Sequence, residues 1–445
     1  MKNQILHWIN SAVYFNCILF LLSCKNEMLY NQHVLSELEG PQEVHIESQH
    51  NQAAVKWNPI AGADGYFAEL SKGPSFVSTL RQSDTIKNTK YTFEGLDANT
   101  AYTVRLRSIS LTSPSLTSKK QMKTFTTAAM PKEDFVPDIV VAKDGTGDYV
   151  SVQEAIHAAP VNGAQPFYIY IKSGTYKEVV EIPQNKPLIH LIGEDKETTI
   201  LTFDNYSGKT KPGGGTYGTA DSRSVYIKGD QFVGERLTFA NSAGMDAGQA
   251  VALYIDAPRS AFNDCKMLGY QDTWYGHNGT KSLLENCYIE GSVDFMFGGS
   301  STLFSKCQIH SNRTGGYITA ASTPAEQQYG YVFVDCKLTA ASNVSEVWLG
   351  RPWRPYAKVV FMNTEMGKHI RPQGWHNWGN PENEKTAYYA EYKSSGEGAH
   401  INSRVSWSHQ LTDAEAQQFT KDKVLDGWEP TFLPENARIV TKHKK

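Results

Sequence analysis

Apolar and polar positions alternate with period two through most of this chain, in short runs broken by Gly, Asn, Asp and Pro, which is the pattern of strands. Ala53 to Trp57, Gly65 to Leu70, Tyr91 to Phe93 and Tyr102 to Arg107 read as strands, with Gly95-Leu96-Asp97-Ala98-Asn99-Thr100 a turn-rich link between the last two. The period changes once. Val152, Ala155, Ile156 and Ala159 fall at i, i+3, i+4 and i+7, which predicts a single amphipathic helix. Strands then dominate almost to the end of the chain.

Within that long β-rich stretch the pattern repeats. Phe262-Asn263-Asp264-Cys265-Lys266-Met267 recurs as Leu284 to Ile289, Phe304 to Ile309 and Phe333 to Leu338, and Phe361 to Met366 is a fifth copy with Thr364 in the cysteine position. The steps between equivalent positions are 22, 20, 29 and 28 residues. Short strands at such a period, with no helix between them, mark a solenoid whose turns share one core because none can bury its own apolar face. A parallel β-helix satisfies this, with loops protruding where the step is longer. Cys265, Cys287, Cys307 and Cys336 then stack inside it. Strands about 4.8 Å apart bring stacked thiols within reach of a disulfide, but buried free thiols acting as small apolar residues are the favoured reading.

The chain begins with Lys2 and an apolar stretch from Ala12 to Leu22, ending in Leu21-Leu22-Ser23-Cys24. The stretch is too short for a permanent membrane span and reads as an export signal. A small residue before Cys24 resembles a bacterial lipoprotein cleavage site, with Cys24 the lipidated residue; the alternative is a plain secretory peptide. The segment from 41 to 127, with Trp57 on an early strand and Tyr102 after a Leu-x-x-x-Thr turn, resembles a fibronectin type III sandwich with Tyr102 at the tyrosine corner. A chain of 445 residues suits two or three domains, and 40% apolar residues supply a sizeable core. A net charge of −3 gives no basic field for nucleic acid or an anionic membrane. No Cys-x-x-Cys, His-x-His or His-Glu-x-x-His spacing suggests a metal site, and the 13 histidines show no paired spacing.

The candidate chemistry follows the repeat. Gln249 and Gln271 are one 22-residue step apart, as are Asp272 and Asp294. Stacking should make each pair neighbours on adjacent turns. Two close carboxylates resist ionising together, so one tends to keep a proton. That divides them into a base or nucleophile and a general acid, while two amides can donate to a developing oxyanion. Arg351, in Leu349-Gly350-Arg351-Pro352-Trp353, supplies a cation to keep one Asp charged, and Trp353 an aromatic platform for a sugar.

With these residues the sequence closely resembles the pectin methylesterases. The matching segments are Gly174 to Glu178, Tyr217 to Ala220, Gln249 to Leu253, Gly269 to Thr273, Asp294 to Gly298, Leu349 to Trp353, Gly374-Trp375, Leu411 to Ala414 and Trp428 to Pro430. The resemblance implies an all-β protein, a right-handed parallel β-helix preceded by the fibronectin-like sandwich. Its segments are an export signal at 1–24, a tether at 25–40, the sandwich at 41–127, a linker at 128–137, the β-helix at 138–435 and a tail at 436–445. It implies Asp294 as nucleophile, Asp272 as acid/base, Gln249 and Gln271 as oxyanion donors, and Arg351 as the group holding Asp294 ionised. Substrate contacts are expected at Thr219, Ala220, Val293, Phe297, Trp353 and Trp378, although Trp375 and Trp378 serve equally well as packing residues. Trp274 and Met296 depart from the family's Leu and Ile, which bears on subsite fit rather than on chemistry.

The implied activity is hydrolysis of galacturonate methyl esters in pectin without metal or cofactor. The implied protein is monomeric, binds pectin but no nucleic acid, and touches a membrane only through a lipid anchor in a bacterial cell envelope, at the outer membrane. Two rival classes remain: a calcium-dependent polygalacturonate lyase, which would need acidic ligands and a basic Arg or Lys in place of the Gln/Asp set, and a thioesterase or non-catalytic polysaccharide-binding lipoprotein on the same scaffold.

Overall fold

The computed structural model describes residues 37–112 and 116–441, and the chain divides into two compact units between Glu133 and Asp134. The export segment with Cys24 and residues 25–36 of the tether lie outside the described residues.

The first unit is built from two sheets. One is antiparallel, with strands Gln42–Ser48, Gln52–Asn58 and Lys90–Glu94. The other runs Glu37–Leu38, Thr117–Ser118, Ala101–Ile109, Gly65–Lys72, Arg81–Gln82, and Gln121–Thr126 also pairs with Ala101–Ile109. Alternation decides the burial. Ala53, Val55 and Trp57 point inward from one sheet and meet Tyr66, Ala68, Leu70, Val104 and Leu106 of the other in one apolar cluster. Trp57 meets Tyr66 edge-on at 5.3 Å. Tyr102 is buried, and its hydroxyl accepts the Asp97 N–H at 3.0 Å.

The second unit is a parallel β-helix of three sheets. Its first sheet has eleven strands from Ile139–Val141 to His409–Gln410, its second eight from Gly174–Lys177 to Glu365–Met366, and its third seven from Val180–Ile182 to Trp348–Pro352. One turn shows the plan: Lys281–Glu285, Tyr288–Gly291 and Val293–Gly298 each pair in parallel with a strand of the turn before and one of the turn after. Stacking puts the repeat's equivalent residues in columns. Phe262, Leu284, Phe304, Phe333 and Phe361 lie in register and are fully buried. Phe304, Phe333 and Phe361 stack at 4.5 and 4.3 Å.

Beside that column lie Cys265, Cys287, Cys307 and Cys336, all buried with free thiols, followed by buried Thr364. The thiols of Cys287, Cys307 and Cys336 each donate to a carbonyl of the turn before, at 3.6, 3.4 and 3.4 Å. Burial pushes the thiols of Cys265, Cys287 and Cys307 well up, so they behave as small apolar residues. Just ahead of each column member the chain bends from the first sheet into the second through a left-handed residue. These are Asp264, Asn286, Lys306, Asp335 and Asn363, at φ between 48° and 54°. Asp and Asn tolerate this conformation; for Lys306 it costs about 1 kcal/mol.

The start of the solenoid and the outer face of its first sheet are both covered. The helix Val152–Ala158 buries Val152, Ala155 and Ile156 against the first turns, and the Glu178 carboxylate accepts from the N–H groups of Val152 and Gln153 at its N-terminus. Outward residues of the first sheet, among them Leu283, Leu303, Val332 and Val360, pack under Leu411, Ala416, Val424 and Leu425 of the C-terminal segment. The outer face of the third sheet is left to carry polar chemistry.

Candidate active site

On that outer face one column of side chains runs across the turns. Tyr226, Tyr254, Tyr275, Phe297, Ala320 and Arg351 occupy successive register positions. The four rings stack at 4.7, 4.3 and 4.3 Å, forming a wall that ends at the Arg351 guanidinium. Beside this wall the chain enters the third sheet, and there Asp272 and Asp294 stand one turn apart. Both have left-handed backbones, φ 68° and 51°. Aspartate tolerates this conformation better than most residues, and here it turns both carboxyls toward one side of the wall. At Asp294 the pairing of Val293–Gly298 with the next turn also slips register between Val293 and Met296.

Arg351 grips Asp294 with two parallel bonds, Nε to Oδ1 at 2.9 Å and Nη2 to Oδ2 at 2.7 Å. The guanidinium is sandwiched between the rings of Tyr317 and Trp378, at 3.8 and 3.9 Å from their centroids. Gln249 and Gln271 are bridged in parallel, Ala250 N–H donating to the Gln271 carbonyl at 3.1 Å. Thr219 Oγ1 donates to Gln249 Oε1 at 2.7 Å. That leaves the amide nitrogen of Gln249 as its donor end, and the amide acts to lower the pKa of Asp272.

The two carboxyls sit in different fields. Burial pushes Asp272 well above the ordinary carboxylate range, the Asp294 charge pushes it the same way, and the Gln249 amide and the Arg351 charge offset only part of this. Burial leaves Asp294 raised too, but the direct bonds and charge of Arg351 oppose the rise, so it stays below Asp272. Asp272 is therefore the carboxyl that retains a proton while Asp294 is the anion.

A cleft of about 310 Å³ opens over these groups, at the small end of the range for ligand pockets. All five residues singled out for catalysis line it: Asp294, Asp272, Arg351, Gln249 and Gln271. So do Thr219, Ala220, Phe297, Trp353 and Trp378. Val293 is not in that lining, although it is half-buried and in register with Tyr317, whose ring lies against Arg351. The structure adds Tyr275 and Ala320 to the lining. Tyr275 was findable, since it stands one 22-residue step before Phe297. Trp274 and Met296 do not reach the cleft either; they point into the solenoid, Trp274 between Phe304 and Tyr331 at 5.5 Å from each. Trp375 is buried against Tyr389 at 4.4 Å and is a packing residue. Among the described residues no group of three or more His, Cys, Asp and Glu side chains is placed to hold a metal ion.

Comparison with known proteins agrees with the fold. The Pectinesterase family model matches residues 138–428. Pectinesterase 31 of Arabidopsis thaliana is 42% identical over 294 residues, covering 64% of this chain and 91% of its own. Among solved structures, the pectin methylesterase from carrot superposes with a TM-score of 0.61 at 36% identity, covering 65% of this chain and 93% of its own. A pectin methylesterase in complex with a hexasaccharide superposes with a TM-score of 0.60 at 33% identity, covering 67% of this chain and 99% of its own. The expected bacterial, outer-membrane, lipid-anchored location is corrected by the curated relatives, which are plant pectinesterases from Arabidopsis thaliana and Daucus carota. A small residue before a cysteine is a short signal, and it carried more weight in that expectation than it can bear.

Proposed function

This chain belongs to the pectinesterase family, and we propose that it hydrolyses galacturonate methyl esters of pectin with Asp294 as nucleophile and Asp272 as acid/base. The observation that carries the assignment of roles is the two-point Arg351–Asp294 bond beside an Asp272 that has no cation of its own. An Asp294 oxygen attacks the ester carbonyl while Gln249 and Gln271 donate to the oxyanion. As the bond to methoxide breaks, Asp272 passes its proton to the leaving oxygen and methanol departs. Asp272, now a carboxylate, takes a proton from water as the water oxygen attacks the acyl group. The Asp294 carboxylate is released, Asp272 is protonated again, and the galacturonic acid formed gives up its remaining proton to solvent as it leaves as the carboxylate. Phe297, Trp353 and Trp378 supply aromatic surface for the sugar rings.

The first unit fits a fibronectin type III-like spacer over residues 41–127, supported by its two-sheet core around Trp57 and by the Tyr102–Asp97 bond. The β-helix over residues 138–435 acts as a right-handed, monomeric enzyme domain in this reading.

The test is methanol release from highly methylated pectin with EDTA present, with absorbance of unsaturated products followed in parallel. Methanol without a rise in absorbance is the expected result. No methanol from folded protein overturns the esterase, and a calcium-dependent rise in absorbance replaces it with a lyase.

A further inference from the structure

The clamp on Arg351 has one firm jaw and one that depends on a neighbour. Tyr317 sits on the regular strand Tyr317–Ala321, in register with Trp348. Trp378 lies on a loop, is 37% exposed, and has φ of 63°. That left-handed conformation disfavours a bulky residue by about 1 kcal/mol or more, so something must fix it. The Trp378 N–H donates to Nδ1 of His376 at 3.1 Å. The His376 ring is itself anchored, with centroids 5.2 Å from Trp348 and 5.7 Å from Tyr317. Its backbone N–H donates to the Gly350 carbonyl at 3.0 Å, one residue before Arg351.

We propose that His376 is a positioning residue for the reaction: its neutral imidazole, carrying its proton on Nε2, holds Trp378 as the second jaw on Arg351, and protonation of Nδ1 releases that jaw. The proposal rests on the reading of Asp294 as nucleophile, because the clamp acts through the Arg351–Asp294 bond. An Nδ1 that accepts the Trp378 N–H cannot also bear a proton, and a protonated ring would set donor against donor. The charged groups facing His376 oppose protonation. From the strand Trp348–Pro352 comes Arg351, already paired with Asp294, and from the following segment Arg371, which pairs with Glu346 at 3.3 Å. On its own loop, Glu384 is taken up by Asn377 Nδ2 at 2.7 Å. Tyr317 and Trp348 present neutral rings. Burial, then Arg351 and Arg371, hold the imidazole below the ordinary histidine range, so the acceptor is intact at neutral pH and fails only in acid.

The test compares wild type with His376→Asn and His376→Phe. Asparagine can accept the N–H two residues on but does not titrate; phenylalanine keeps the ring and removes the acceptor. At pH 7.5, His376→Phe should lose kcat/KM by roughly tenfold or more, with His376→Asn restoring most of it. Between pH 7.5 and pH 5, His376→Asn should lose a smaller share of its activity than wild type. Equal losses in both variants, or Phe behaving as wild type, would overturn the inference. If His376→Phe does not fold, the acid-side comparison of wild type and His376→Asn decides alone. Imidazole nitrogen NMR shifts separate this inference from the esterase reading. A His376 proton on Nε2 in the free enzyme is expected whether or not methanol is released, and a proton on Nδ1 would overturn the inference.

Discussion

Arg351 and Asp294, 57 residues apart in the chain, are joined by a two-point bond of 2.9 and 2.7 Å inside a cleft that buries both carboxyls of the site. The planar fork of arginine can grip a carboxylate and lie flat between two rings at once; the ammonium of lysine can do neither fully. Arg351→Lys should therefore lower kcat/KM about a hundredfold with the charge kept. It should also move the acid limb of the kcat profile to higher pH, because burial of Asp294 is then less well opposed. A variant with wild-type pH dependence would show that the second bond and the ring clamp are incidental.

Asp272 is expected to be protonated in the resting enzyme. Its folded pKa lies above its unfolded value, so the folded state binds the extra proton and stability falls as pH rises through that window. Asp272→Asn should raise the unfolding temperature at neutral pH, with the gain vanishing below about pH 4 where the unfolded carboxyl is protonated as well. The same variant should release methanol in a single turnover roughly a hundredfold more slowly, and lose much less in single-turnover release of an alcohol acidic enough to depart without a proton, since deacylation needs Asp272 as base with either ester. Equal losses on both esters would argue against Asp272 as the acid.

Thr219 acts on the geometry through Gln249, whose amide oxygen it occupies at 2.7 Å. Thr219→Val keeps the shape and frees the amide to turn over. The expected result is a fall of about tenfold in kcat with little change in KM, the signature of a lost transition-state donor. A rise in KM alone would instead make Thr219 a direct substrate contact.

His369 gives the β-helix a pH dependence unrelated to catalysis. It is 4% exposed, with Nε2 buried and lacking a hydrogen-bond partner, and burial and then His310 hold its pKa down to about 4. The unfolded chain binds this proton first, so stability falls as pH drops below the ordinary value of 6.5 toward 4. Between pH 7 and pH 5 the loss through this group should be about 2 kcal/mol. Urea unfolding of wild type and His369→Leu at both pH values checks it: the difference in stability between the two proteins should shift by that amount in favour of the variant at pH 5.

Much of the architecture was legible because a solenoid writes its geometry into sequence spacing. The 22-residue step alone places Gln249 over Gln271 and Asp272 beside Asp294, and the cysteine column marks the shared interior. Spacing failed where the backbone leaves the repeat. Tyr317, Trp378 and His376 come from turns lengthened by loops, so no fixed offset ties them to Arg351. Trp274 and Met296 look like changes at the active site because they adjoin its motifs; their register places them inside the solenoid instead.

The central claim is that Asp294 is the nucleophile, and the most direct measurement is methanol release by Asp294→Ala, beside wild type, from highly methylated pectin. The account predicts a loss of roughly a thousandfold or more in a variant whose circular dichroism and unfolding transition show an intact β-helix. A folded Asp294→Ala that retains activity within about tenfold of wild type would contradict it, and would move the chemistry to Asp272 or to water.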